Sequence, residues 1–216
     1  ELPGGYPMYG APVSHALPAV RTIRVATTDK TRWGLEFAQT GGKDHEGYPI
    51  YEAGYSLGRP ATYKGGKSYT KAVNTGVFGP RLAAQDGIYR DGSTIGATLP
   101  LLADGKGNDG APEFSSVTTV LHRNGKKFAQ NNDPLQGWDT FRVPAGNADY
   151  KLTSSVKHSA KIGALSTRVD VSFSFRSKKA TTKLPASTVR FTPAIGSDGR
   201  AKAGRTISVP VTVQGS

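Results

Sequence analysis

The stretch from Gly137 to Arg176, GWDTFRVPAGNADYKLTSSVKHSAKIGALSTRVDVSFSFR, contains the two clearest strand patterns in the chain. In Ala148–Lys157, and again in Thr167–Arg176, every second side chain shares a face. The apolar positions of the second segment are Val169, Val171, Phe173 and Phe175. A period of two is typical of a β-strand with one buried and one solvated face, whereas a helix would distribute these residues around its circumference. The stretch therefore predicts two half-buried strands, and other segments must supply a second sheet to cover them.

Turn residues outside this stretch predict two hairpins. Asn124-Gly125 separates the strand-like runs Phe114–Arg123 and Lys126–Gln130. Asn-Gly in this position favours the positive φ angles of a type I′ turn. Asp91-Gly92 supports the same prediction between two shorter runs, Gly87–Arg90 and Ser93–Thr98.

Weaker alternation predicts several further strands. Two of them form a first hairpin through Thr28-Asp29-Lys30, and in it Trp33, Leu35 and Phe37 share a face that we expect to point inward. The predicted segments are Val20–Thr27, Thr31–Gln39, Tyr48–Tyr55, Ser68–Phe78 and Trp138–Val143.

The chain divides into three predicted parts. Residues 1–19 are rich in Pro and Gly without periodicity, which predicts an N-terminal arm or linker. Residues 20–180 carry the strands of an all-β domain, predicted as an antiparallel β-sandwich of jelly-roll-like form. Residues 181–216 continue the linker-like run Lys179–Pro185 and then alternate in Ser187–Thr192 and Thr206–Gln214. Since two strands form no independent core, this part either completes the sandwich or begins an immunoglobulin-like module.

The composition sets broad limits on the class of protein. The 216 residues include 27 Gly and 14 Pro, are 36% hydrophobic and contain no Cys. This balance favours a turn-rich β-protein and excludes a disulfide scaffold or a thiolate metal site. No apolar run approaches the roughly 20 residues of a membrane helix, so we expect a soluble chain without membrane insertion.

The formal net charge of +12 is the main hint about partners. A basic surface suits an anionic partner such as a cell-wall polymer. Because the basic residues are dispersed along the chain, we expect no specific nucleic-acid partner.

Residues capable of catalysis form no recognisable motif. The four histidines, His15, His45, His122 and His158, are widely spaced, and no segment matches the nucleophile elbow of a serine hydrolase. The paired carboxylates of a glycoside hydrolase leave no sequence motif, because their pairing is set by the fold. We predict no catalytic residues and no organic cofactor in this chain.

One loop has the composition of a cation site. Asp104, Asn108, Asp109 and Glu113 offer oxygen ligands at close spacing, which suits calcium. Lys106 stands where an EF-hand would place a third oxygen ligand, so the loop is not of that type. The alternatives are a calcium site and a solvated turn.

Several short segments carry a family resemblance. They are DPL (Asp133–Leu135), Gly137-Trp138, FRVPAG (Phe141–Gly146), STRV (Ser166–Val169), FRS (Phe175–Ser177) and KLPAS (Lys183–Ser187), all within Asn132–Thr206. Together they resemble the region beyond the catalytic domain of very large secreted subtilisin-like serine peptidases from actinomycetes such as Streptomyces. The resemblance implies a secreted, extracellular, non-catalytic pair of β-domains. No segment here corresponds to those around the family's catalytic serine, histidine and aspartate.

Three functions follow from these observations. The first is an accessory β-domain that packs on a serine-peptidase catalytic domain, or on another polypeptide, or assists substrate binding. The second is a free-standing extracellular module for a polysaccharide or an anionic cell-wall polymer, for which Trp33, Trp138 and nine tyrosines offer a flat apolar platform. The third is a protease inhibitor or other protein ligand that presents a loop such as Asp104–Pro112.

Overall fold

The computed structural model of the chain describes residues 12–27, 30–196 and 199–216, and this part is all-β, with no helix. Its strands are β1 (Glu36–Lys43), β2 (Pro49–Ser56), β3 (Gly87–Gly92), β4 (Thr94–Thr98), β5 (Asp109–Pro112), β6 (Phe114–Arg123), β7 (Lys126–Asn131), β8 (Phe141–Arg142), β9 (Ala148–His158), β10 (Arg168–Ser177), β11 (Ala180–Leu184), β12 (Ser187–Phe191) and β13 (Val211–Gly215). Every strand pair is antiparallel.

Two four-stranded sheets form the body of the molecule. Their strand orders are β10-β9-β6-β7 and β11-β3-β4-β8. Buried apolar side chains from both sheets belong to one cluster, which includes Ile88, Ile95, Leu121, Leu152, Val156, Phe173 and Leu184. The chain is therefore an antiparallel β-sandwich, as the alternating strands predict.

The two strands of the Gly137–Arg176 stretch pair directly with each other as β9 and β10. Tyr150 lies opposite Phe175, with ring centroids 5.9 Å apart, and Leu152 lies opposite Phe173. These four side chains are 7% exposed or less. The intervening residues of both strands face outward, so the period of two corresponds to burial on one face.

The two hairpins predicted from Asn124-Gly125 and Asp91-Gly92 form, and the turn of the second is displaced by a residue. Asn124 and Gly125 have φ angles of 49° and 78°, which gives the predicted type I′ turn between β6 and β7. Between β3 and β4, Asp91 pairs with Thr94, so the two turn residues are Gly92 and Ser93 rather than Asp91 and Gly92. The φ of 56° at Gly92 alone fits a type II′ turn, which requires a positive φ at its first central position.

A three-stranded sheet, in the order β1-β2-β5, packs beside the sandwich. Its anchor is Tyr55, which is 3% exposed, lies 5.9 Å from the ring of Phe78 and donates a 3.4 Å hydrogen bond to the carbonyl oxygen of Leu102. The contact between β2 and β5 requires glycine at position 110. There φ is 148°, and a Cβ atom would lie 2.0 Å from the carbonyl oxygen of Gly54.

Three predicted strands or faces are wrong. Val20–Thr27 and Ser68–Phe78 form no strand, and β1 pairs with β2 instead of the predicted first partner. Two turn residues of that predicted hairpin, Thr28 and Asp29, lie outside the described residues. Trp33 and Leu35 are 37% and 44% exposed and so do not point into a core. Trp138–Val143 contributes only the two residues of β8.

The segment predicted as a linker, Lys179–Pro185, contains β11 instead. This strand pairs with β3 over Ala180–Leu184 and so belongs to the sandwich. Its sequence has no alternation because only Leu184 is buried. The following pair of strands forms as predicted but begins later in its second member, and β12 and β13 make a separate two-stranded sheet. An immunoglobulin-like module stays a prediction.

The described part of the arm, residues 12–19, has no strand and is exposed. Among the described residues, no helix is long and apolar enough to cross a bilayer.

Candidate functional site

The loop with predicted calcium ligands is folded around one carboxylate. Asp104 is 0% exposed, and its Oδ1 accepts hydrogen bonds of 2.9 Å from the backbone amides of Lys106 and Asn108. Its Oδ2 accepts a 2.8 Å bond from the side-chain amide of Asn108, which also donates to the carbonyl of Ala72. Three N–H donors therefore occupy the oxygens that a cation would require.

The other predicted ligands of this loop point elsewhere. Asp109 Oδ2 lies 3.2 Å from Nη2 of Arg81 in an ion pair, and Glu113 is exposed. Within residues 12–27, 30–196 and 199–216, no group of three His, Cys, Asp or Glu side chains could hold a metal ion. The donors around Asp104 favour a structural turn, and calcium binding at Asp104, Asn108, Asp109 and Glu113 stays a prediction.

The histidines occupy four unrelated environments. His158 is 6% exposed and holds its ring nitrogens 3.1 and 3.0 Å from the carbonyl oxygens of Ser159 and Ser166. His45 lies on the surface beside Glu46, and His15 contacts Arg21. His122 is half-buried on β6, and its Nδ1 is buried without a hydrogen-bond partner in the described residues. In the part of the chain that the structure describes, no histidine nitrogen bonds a serine hydroxyl, the arrangement that a serine nucleophile needs.

Residues of the predicted sugar platform have different exposures and local contacts. Trp33 donates its Nε1–H to the carbonyl of Ala26 at 2.8 Å, while Trp138 is 71% exposed. Tyr63 and Tyr69 form their own edge-to-face pair, with centroids 5.0 Å apart. Tyr51 lies near Glu113, and partial burial together with that carboxylate raises the pKa of its hydroxyl.

The β12–β13 pair carries an apolar surface on its outward side, which we call the β12–β13 face. Val189 lies opposite Val213 and Phe191 lies opposite Val211. These four side chains are 40%, 69%, 48% and 58% exposed, respectively. Because apolar side chains of this kind are normally buried, their exposure makes the β12–β13 face a candidate interaction surface.

The opposite side of β12–β13 is fixed to the sandwich by polar contacts. Arg190 is 7% exposed and donates to the carbonyl oxygens of Gly79, Pro80 and Asp104. Burial lowers the pKa of this guanidinium, and the Asp104 carboxylate opposes that effect. Gln214 accepts a 3.0 Å bond from the backbone amide of Leu82. The anchoring side is therefore polar and the free side apolar, the reverse of the usual arrangement.

A second surface is the outward side of the four-stranded sheet β10-β9-β6-β7, which we call the outer sheet face. It consists of basic residues, two carboxylates, hydroxyl or amide side chains and one valine. Its members are Arg168, Asp170, Ser172, Ser174 and Arg176 on β10; Asp149, Lys151, Thr153, Ser155 and Lys157 on β9; Ser116, Thr118, Val120 and His122 on β6; and Lys127 and Gln130 on β7.

Both carboxylates of the outer sheet face are engaged by arginines. Asp170 accepts hydrogen bonds of 2.7 and 3.0 Å from Arg168, and these bonds, with one from Ser155, lower the pKa of its carboxyl group. Asp149 lies 3.9 Å from Nε of Arg176. None of the ion pairs among the described residues includes Lys127, Lys151 or Lys157.

Sequence reasoning did not detect the two buried arginines. Arg90 is 0% exposed and donates to the carbonyl oxygens of Gly92 and Pro144, each at 2.9 Å, while its guanidinium lies 5.9 Å from the ring centroid of Tyr150. Its only sequence signal is its place in the Gly87–Arg90 strand, where Ile88 and Arg90 fall on the same face.

Comparison with known proteins adds no further identification. The sequence matches no protein-family model and no curated protein, and the fold matches no solved structure.

Proposed function

We propose that this chain is a secreted, non-catalytic accessory β-domain of a subtilisin-like serine peptidase, and that it packs on the catalytic domain through the β12–β13 face. The observation that carries the proposal is the exposure of Val189, Phe191, Val211 and Val213 on one side of a two-stranded sheet. The resemblance of Asn132–Thr206 to a region of such peptidases supplies the identity of the partner. A non-catalytic role is supported by the partners of the histidines, since no histidine nitrogen bonds a serine hydroxyl within residues 12–27, 30–196 and 199–216.

The size of the apolar surface favours a partner in the same polypeptide. Full burial of a Val or Phe side chain contributes about 1.5–3 kcal/mol, so covering four half-exposed ones contributes roughly 3–6 kcal/mol. Association of separate molecules costs an estimated 4–15 kcal/mol in translational and rotational freedom. The β12–β13 face alone would therefore bind a separate chain weakly, whereas a covalent link between domains removes most of that cost.

Hydrogen exchange tests this proposal. The isolated chain is compared with a longer polypeptide in which a subtilisin-like catalytic domain precedes it. Because docking suppresses opening of the two-stranded sheet, we expect the amides of β12 and β13 to exchange at least about tenfold more slowly in the longer polypeptide, which corresponds to about 1.4 kcal/mol. The amides of β6 and β7 serve as an internal reference and should not change.

A pair of matched double variants makes the test specific. Val211→Ser with Val213→Ser should abolish the added protection, while Val13→Ser with Val20→Ser, at exposed valines of the N-terminal segment, should retain it. Equal exchange at β12–β13 in the short and long polypeptides would exclude this docking surface. Hydrolysis of a peptide substrate by the isolated chain would overturn the non-catalytic assignment.

A further inference from the structure

The outer sheet face has the charge of a binding surface for an anionic ligand. Its two carboxylates are paired with Arg168 and Arg176, whereas its three lysines, Lys127, Lys151 and Lys157, are exposed and lie outside every ion pair in the described residues. Lys127 donates only to the neutral amide of Gln130, at 2.6 Å. Lys157 is near enough to Asp170 for its charge to help lower the pKa of that carboxyl group, so its charge is partly compensated. None of the three lysines is held in an ion pair, so all three can contact a ligand.

The lysines lie at two ends of the face. His122 is opposite both Lys127 and Lys151, so these three side chains form one row across three adjacent strands, with the lysine backbones about 10 Å apart. Lys157 lies six residues further along β9, a distance of about 20 Å. The positive charge is thus spread thinly over a length of about 20 Å.

The surface between the two ends is mostly polar, includes the half-buried Val120, and is uncharged apart from the Arg168–Asp170 pair. It presents hydroxyl groups in adjacent strands: Ser172 faces Thr153, and Ser155 faces Thr118. Thr153 already donates to the carbonyl oxygen of Val120 at 3.4 Å, and Ser155 bonds Asp170, so these two hydroxyls can still accept hydrogen bonds. The hydroxyls of Ser172 and Thr118 can both donate and accept, as the hydroxyls of sugars do. The arrangement suits a ligand with widely spaced anionic groups and hydroxyls between them.

Charge spacing also distinguishes among polymers. Duplex DNA carries one negative charge per about 1.7 Å of its axis, and proteins that bind it neutralise many phosphates together. Three free lysines over about 20 Å match a polymer of lower charge density. We propose that the outer sheet face binds a linear acidic polysaccharide, with Lys127, Lys151 and Lys157 bonding its carboxylates and the intervening Ser and Thr side chains bonding its hydroxyl groups.

Calorimetric titration with polygalacturonate, a linear polymer of acidic sugars, tests the proposal. Dextran is the neutral counterpart, and a DNA duplex is the anionic counterpart of high charge density. We expect binding to polygalacturonate at about 50 mM NaCl, loss of that binding at about 0.5 M NaCl, where charges are screened within a few ångströms, and no binding to dextran. The duplex should bind more weakly than polygalacturonate.

Two triple variants with the same change in charge separate this face from the net charge of the molecule. Lys127→Glu, Lys151→Glu and Lys157→Glu together should weaken polygalacturonate binding at least about tenfold. Lys64→Glu, Lys67→Glu and Lys202→Glu, at exposed positions outside the face, should change it by less than about threefold. Equal losses in both triples would overturn the proposed surface. Tighter binding to the duplex would overturn the polysaccharide as its ligand, and so would absence of binding at low salt.

Discussion

At the scale of single residues, a buried pair of hydroxyls shows how the core accommodates polar groups. Thr119 is 1% exposed and Ser154 is 2% exposed, and both lie between the two sheets. Thr119 Oγ1 donates to the carbonyl oxygen of Asp133 at 2.6 Å and lies 2.8 Å from Ser154 Oγ. A carbonyl only accepts, and a hydroxyl has one proton. Ser154 must therefore be the donor to Thr119.

This direction predicts the cost of removing the Thr119 hydroxyl. Thr119→Val keeps the shape of the side chain but leaves the Asp133 carbonyl and the Ser154 hydroxyl without their partner, so it should lower the free energy of unfolding by about 1–3 kcal/mol. The neighbouring Thr118→Val is the matched control, because Thr118 faces solvent and should change stability by less than about 0.5 kcal/mol. Urea unfolding of both variants is the measurement, and equal stability of the two would show that the buried network contributes nothing.

At the scale of elements, the turn between β6 and β7 is the local structure that the sequence predicts best. Gly125 has a φ of 78°, which costs a residue with a Cβ about 1–2 kcal/mol. Gly125→Ala should therefore destabilise the chain by about that amount, measured by thermal or urea unfolding. Gly146→Ala is the control. Gly146 is exposed and has no positive φ, and no atom beyond its chain neighbours lies within 4 Å of the position that a Cβ atom would occupy. Alanine at this position should therefore be neutral or stabilising. A larger cost at Gly146 would contradict the turn assignment.

The strands that the sequence predicts are those whose two faces differ. In β9 and β10 one face is buried against the other sheet, and the period of two follows from that burial. In β11 only Leu184 is buried, so the strand is held by its backbone pairing to β3 and leaves no alternation to detect. Ser68–Phe78 shows the opposite error: its residues have strand propensity, but no neighbouring strand pairs with them in the described part of the chain.

The candidate surfaces likewise depend on contacts between segments that are distant in the sequence. The sequence predicts that Val211 and Val213 share a face, but which side of β12–β13 meets the sandwich is decided by Arg190 and its three carbonyl acceptors on distant loops. The oxygen-rich composition of the Asp104 loop is likewise visible in the sequence. That backbone amides and Asn108 satisfy the Asp104 carboxylate is a consequence of the loop's conformation, which composition does not specify.

At the scale of the whole molecule, positively charged side chains outnumber negatively charged ones, and few of them form ion pairs among the described residues. There are 28 Lys and Arg residues and 16 Asp and Glu residues. The Arg–carboxylate ion pairs of the described residues involve Arg81, Arg168 and Arg176, and two of these arginines lie on the outer sheet face. Like charges that remain unpaired repel one another and oppose the compact state, most strongly when little salt is present.

Added salt should therefore stabilise the chain. Raising NaCl from about 0.01 M to 0.15 M shortens the screening length from about 30 Å to about 8 Å, which weakens repulsion between distant lysines. If weaker repulsion raises the free energy of unfolding by about 1 kcal/mol, the unfolding temperature rises by about 2–4 °C for a chain of this size. Because each Lys→Glu change lowers the charge by two, either triple lysine variant reduces the net charge from +12 to +6. Both variants should therefore show a smaller rise in unfolding temperature with salt, measured by calorimetry.

The two triples should differ in polygalacturonate binding but agree in this salt response, since repulsion depends on the total charge and ligand binding depends on where the lysines lie. A fall in unfolding temperature with salt would mean that attractive ion pairs dominate the electrostatics of the fold.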